Sequence, residues 1–157
     1  MLQVAHTIAT APDFSAFATA RTHAADSEGQ RIRFAAADLF RQGRLAEADL
    51  LTYEAMQQMP DSEDVLVMRA LICEVRHDWT AAAEVLGRLI AVQGADAPPE
   101  SWCHWVRVLR CDGQLGAARQ AVLQALQHHP THPALANELA QLEALGVGPS
   151  PDARQAA

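Results

Sequence analysis

One feature constrains this 157-residue chain more than any other, a segment that returns twice at nearly fixed spacing. Gly43-Arg44-Leu45-Ala46-Glu47-Ala48 recurs as His77-Asp78-Trp79-Thr80-Ala81-Ala82 and again as Gly113-Gln114-Leu115-Gly116-Ala117-Ala118. The steps are 34 and 36 residues, and they also connect Ala55, Leu89 and Ala125, and Pro60, Gly94 and Pro130. The two extra residues fall within Gly94-Ala95-Asp96-Ala97-Pro98-Pro99, where glycine and proline already indicate a loop. A chain that keeps one phase over three units must stack three copies of one supersecondary motif, each too small to bury its own apolar face.

Within each unit the apolar residues follow a period near 3.6, interrupted midway by a turn signal. The spacing predicts paired helices over about 30–42 and 45–59, 62–76 and 80–92, and 99–111 and 115–128. Short side chains at Ala48, Ala82 and Ala118 suit closely approaching helices. Gly43 and Gly113 permit a left-handed helix end, Asp78 or Asp61 can cap the following helix, and Pro60 and Pro130 stop the second helices. A last helix over 133–145, with Leu135, Leu139 and Leu142 on one face, covers the open end of the stack. Residues 146–157 turn rich in Gly, Pro, Ser and Ala and read as a disordered tail. Residues 1–28 hold one expected helix at 12–26, opened by Pro12-Asp13 and carrying Phe14, Phe17, Ala18 and Ala25. It packs as a leading helix on the first repeat or serves as a dimerisation or autoinhibitory arm.

Spacing, mid-unit glycine, small residues in the second helix and a closing proline together resemble the tetratricopeptide repeat (TPR). The resemblance covers residues 29–132, as repeats at about 29–62, 63–96 and 99–132, plus the closing helix. Trp102 falls where that family often places a tryptophan, while the middle unit departs with His77 for glycine, Leu89 for alanine and Gly94 for proline. The resemblance implies an all-α fold, a right-handed superhelical α-solenoid with a C-terminal capping helix. In such stacks the first (A) helix of each hairpin lines the concave side.

A stripe at i, i+4, i+7 and i+8 is available on every A helix. It contains Arg33, Ala37, Phe40 and Arg41, then Val67, Leu71, Glu74 and Val75, then Cys103, Arg107, Arg110 and Cys111. The stripes describe a groove that is apolar in the middle and carries arginine on both flanks. A guanidinium fork suits carboxylates and backbone carbonyls of an extended peptide, and an apolar strip accepts side-chain anchors. The expected partner is therefore a protein, through an extended segment. Some of these apolar residues would equally pack between helices, and arginines often lie over such surfaces.

Composition sets limits on other functions. The net charge is −7, all twelve basic residues are arginine and no basic run occurs, which disfavours nucleic acid as the main partner. No run of 18 apolar residues exists and the first dozen residues lack a signal-peptide pattern, so a cytoplasmic protein without membrane insertion is expected. Three cysteines, Cys73, Cys103 and Cys111, suit a reducing compartment better than a disulfide framework. Neither a nucleophile-plus-oxyanion loop nor a glycine-rich phosphate loop is visible, so no enzyme activity and no cofactor are expected. The alternative is a metal or catalytic site built on His128 and His132, whose four-residue spacing suits zinc on a helix face. Pro130 and Pro133 interrupt that helix, and an inter-repeat turn that happens to hold histidines explains the cluster more simply. Homodimerisation, as a self-associating scaffold, is a further alternative.

Two subfamilies sharpen the resemblance. Heat-shock co-chaperones of this fold clamp a C-terminal carboxylate with basic and asparagine side chains; here Arg33, Ala37, Met68, Glu100 and His104 occupy those positions, and only Arg33 suits the role. Three repeats, a leading helix, a single C-terminal helix and a small acidic chain look instead like class II chaperones of bacterial type III secretion. Their third repeat resembles Ala97 to Leu115, which begins after a proline-containing linker. By that resemblance Phe40, Val67, Leu71 and Val75 would touch a translocator segment. The related chaperones for needle subunits are a neighbouring possibility.

Overall fold

A computed structural model describes residues 27–146. The expected helix at 12–26 and the tail beyond Gly146 lie outside the described residues. Seven α-helices follow one another among the described residues: α1 (Ser27–Arg41), α2 (Leu45–Gln58), α3 (Glu63–Val75), α4 (Trp79–Gln93), α5 (Pro99–Cys111), α6 (Leu115–His128) and α7 (Pro133–Ala144). Six of them form three hairpins in the expected phase, and α7 closes the stack. The extra loop residues form a single 3-10 turn at Gly94–Asp96.

The three hairpin turns are built alike. The N–H of Arg44 bonds the Leu39 carbonyl, Asp78 bonds Cys73 and Gln114 bonds Leu109, each at 2.9 Å. Each turn also places its mid-unit residue in the left-handed region, with φ of 74° at Gly43, 58° at His77 and 75° at Gly113. This is the Schellman ending, in which a positive φ lets the chain turn back onto the helix. His77 departs from glycine in sequence but not in conformation. A side chain held there carries a backbone cost of roughly 1–2 kcal/mol, partly offset by an edge contact with Trp79 at 5.6 Å. His77→Gly is therefore expected to stabilise the protein by several tenths to about 1 kcal/mol, read from chemical denaturation. A lower midpoint would show that the Trp79 contact outweighs the backbone term.

Helix starts agree with the sequence at one of two expected caps. Asp78 accepts from the Ala81 N–H at 3.2 Å. At α3 the cap is Ser62, which accepts from Val65, whereas Asp61 reaches outward to Arg88 at 3.2 Å. A capping side chain must stand directly before the first helical residue, and Ser62 holds that place.

The core runs the length of the stack. α3 is its most enclosed member, with eight of thirteen residues buried, because repeats lie on both sides of it. Ala48, Ala82 and Ala118 are fully buried, as are Leu66, Ile72, Leu86 and Leu89 or nearly so. Leu135 and Leu142 fill the far end from α7, with Leu139 packed beside them. Gly87 lets the Trp105 ring lie against α4; a β-carbon there would meet Trp105 Cζ2 at 3.2 Å. The Trp105 indole N–H donates to the Ala83 carbonyl at 2.9 Å, joining the second and third units.

Candidate functional site

The A helices α1, α3 and α5 alternate with the second helices along the stack. α3 and α5 each pack on their own partner helix and on the second helix of the preceding unit, while α1 packs on its partner α2. In addition α1 packs on α3 and α5 on α7, while successive second helices make no comparable contact. Glu74 of α3 reaches His104 of α5 across the remaining gap, His104 Nε2 donating to Glu74 Oε1 at 2.5 Å.

The predicted stripe residues differ in access. Val67 and Leu71 are only 9% and 5% exposed and belong to the core floor. Phe40, Val75 and Cys103 are half-buried, and Arg41, Arg107 and Cys111 are exposed. The arginines are not bare, as a flanking role would suggest. Arg33 is half-buried and bonds Asp64 at 2.7 Å, tying α1 to α3. Arg110 bonds Glu138 at 2.7 Å, tying α5 to α7. Arg41 pairs with Asp38 one turn earlier on its own helix. Arg107 is 59% exposed and stands 3.6 Å from Glu74, an ion pair beyond hydrogen-bond range. It is thus the stripe arginine most open to a new carboxylate.

Three residues missed from the stripe complete the site: Asp64, His104 and Glu138. His104 is almost fully buried, between its Glu74 bond and the core. A signal for them existed, since each partner lies about one repeat from its cation or carboxylate, at separations of 31, 30 and 28 residues. Opposite charges at a lag slightly under the repeat length mark bridges between successive A helices.

The histidine cluster is put to structural use. His129 donates to the Ala97 carbonyl at 2.9 Å, which anchors one inter-repeat loop on the next. His128 stacks on Trp102 with ring centroids 6.4 Å apart, and His132 opens α7 as the residue before its first turn. Among the described residues no three His, Cys, Asp or Glu side chains gather as a metal site. The thiols of Cys73 and Cys103 are pushed above the ordinary cysteine range, chiefly by burial. A raised thiol holds less of the thiolate that nucleophilic chemistry requires.

No protein-family model matches the chain, and no curated protein matches it in sequence. Solved structures do match its architecture. The first TPR domain of Spaghetti (RPAP3), bound to the HSP90 peptide SRMEEVD, is 15% identical with a TM-score of 0.61, covering 76% of this chain and 94% of that one. The second TPR domain of human RPAP3, in complex with the HSP70 peptide SGPTIEEVD, is 14% identical with a TM-score of 0.58, covering 71% and 92%. The first TPR domain of human RPAP3 is 16% identical with a TM-score of 0.58, covering 74% and 90%. The fold is therefore that of a tetratricopeptide-repeat solenoid.

Proposed function

We propose that this chain is a non-enzymatic interaction module that holds an extended segment of a partner protein against its A-helix face. What supports the reading is that Phe40, Val75 and Cys103 are half-buried and Arg41 and Arg107 exposed, on stripes that the helical period assigns to one face of each A helix. Apolar anchors would seat among the former, and carboxylates or carbonyls would meet the guanidinium groups. Two structural neighbours hold peptides, which supports the same use of the fold.

The recognised segment differs in kind from theirs. At the five clamp positions, Arg33 is engaged by Asp64, Ala37 offers no polar group, Met68 is buried, Glu100 is acidic and His104 is buried against Glu74. A free C-terminal carboxylate would find no open cation there. The peptide SRMEEVD is expected to show no saturable binding to this chain. An internal, largely apolar segment with an acidic side chain near Arg107 fits better.

The test of the groove is a double charge reversal, Arg41→Glu with Arg107→Glu, set against Arg88→Glu on α4 as a control. With a partner recovered from the native cells, the double variant is expected to bind about tenfold more weakly, a loss of about 1.4 kcal/mol. The control should bind as the parent does. Unchanged affinity in the double variant would defeat the groove reading.

A finer form of the proposal is a class II chaperone of bacterial type III secretion, acting in the cytoplasm on a translocator, or a related needle-subunit chaperone. Three hairpins, one closing helix and a net charge of −7 support it, and secretion genes beside the coding gene would test it. No helix among the described residues is long and apolar enough to cross a membrane. The rival metal reading requires stoichiometric metal in the purified protein, lost on substitution of His128 and His132.

A further inference from the structure

The repeat phase allows each residue of the first unit to be compared with its counterparts in the next two. Phe34 on α1 corresponds to Met68 on α3 and His104 on α5. Phe34 is 60% exposed, while Met68 and His104 are 2% and 3% exposed. His104 shows what covers this position, since its ring meets Glu74 on the A helix of the unit before it. The same contrast extends across the leading face. Ile32 is half-buried where Leu66 and Trp102 are buried, and Leu51 is half-buried where Val85 and Ala121 are buried. Each buried counterpart has a repeat in front of it. The first unit has none among the described residues, so an apolar face centred on Phe34 meets water.

We propose that this face is covered by residues 12–26 of the same chain, lying against α1 at Phe34. The segment enters directly at Ser27, where α1 begins, and its fifteen residues equal α1 in number. It carries Phe14 and Phe17, the apolar side chains suited to replace the missing preceding helix. Tethering raises its effective concentration to the order of millimolar, which a second molecule in dilute solution does not reach. Charge also favours a small occupant over a second copy. Asp38 stands exposed on this face where Ile72 and Val108 are buried in the later repeats. A two-fold dimer through the whole face would bury Asp38 with its partner Arg41, at a desolvation cost. A fifteen-residue segment can cover Phe34 and leave Asp38 in water. The leading segment thereby closes the open end of the solenoid as α7 closes the other.

The experiment places the photoreactive residue p-benzoyl-phenylalanine at position 34 of the full chain, a site exposed enough to accept it without disturbing the core. Irradiation at micromolar protein is followed by mass spectrometry of the products. The expected product is an adduct within one chain, between position 34 and residues 12–26. It should be lost when Phe14→Glu and Phe17→Glu are added. A covalent dimer would assign the face to a second copy, and the absence of an intrachain adduct would leave it uncovered; either result overturns the proposal. Neither result bears on the groove, whose test uses Arg41 and Arg107.

Discussion

Trp102→Ala is expected to destabilise this protein by about 3–5 kcal/mol, the range for deleting a large aromatic side chain from a packed core. Trp102 is 1% exposed and is the largest fully buried side chain among the described residues. Its ring packs beside Trp105 with centroids 5.9 Å apart and under His128, so it joins α5 to the end of α6. Truncation leaves a cavity inside the third hairpin, between α5 and the end of α6, which cannot close by moving one side chain. At this chain length each kcal/mol corresponds to roughly 2–4 °C in melting temperature. Trp102→Phe separates packing from polarity. The indole N–H has no hydrogen-bond partner, so phenylalanine removes an unsatisfied buried donor while keeping most of the ring. Thermal and chemical denaturation should therefore rank the parent and Trp102→Phe close together, with Trp102→Ala far below. If alanine were tolerated, the third hairpin would not be packed as described.

Ala82→Leu tests the opposite kind of error, too much volume instead of too little. Ala48, Ala82 and Ala118 occupy one phase of the repeat and are all fully buried. Each lies in the second helix of its hairpin, where a β-carbon is the largest group that the approach of the A helix admits. Forcing three more carbons into that contact is expected to cost about 1–3 kcal/mol, with Ala82 at the upper end because its hairpin is central. Ala91→Leu on the exposed side of the same helix provides the control and should change stability by no more than about 0.5 kcal/mol. Equal effects at the two positions would mean that helix propensity, not packing, governs this helix.

These buried alanines also show why so much of the fold is readable in the sequence. Of 157 residues 32 are alanine, and the ones that recur in phase are those at helix contacts. The repeat phase places all three turns, because glycine at 43 and 113 reports a positive φ directly. It places the middle turn as well, since His77 is forced into the same conformation by its neighbours on either side. Local chemistry alone would have read His77 as ordinary helix.

The site was less legible, for a physical reason. A stripe chosen by helical period shows which residues share a face, but not how closely the next helix approaches it. Val67 and Leu71 belong to the stripe yet are buried in the core, in the helix that has a repeat on either side. The arginines at 33 and 110 point toward neighbouring A helices and are met by Asp64 and Glu138. Their charge is spent on holding repeats together, leaving Arg41 and Arg107 as the exposed cations of the stripe. A search for opposite charges separated by somewhat less than one repeat, 31 and 28 residues here, recovers these bridges from sequence, whereas a search along one helix does not.

The proposed partner lies on the A-helix side. A photo-cross-linking residue in place of Val75, half-buried on that side, is compared with one in place of Leu50, which is 57% exposed on α2. Both chains are irradiated in the native cells. The expected result is a discrete protein adduct from position 75, mapping to a short segment of one partner, with none from position 50. Adducts from position 50 alone, or the same adducts from both, would contradict it.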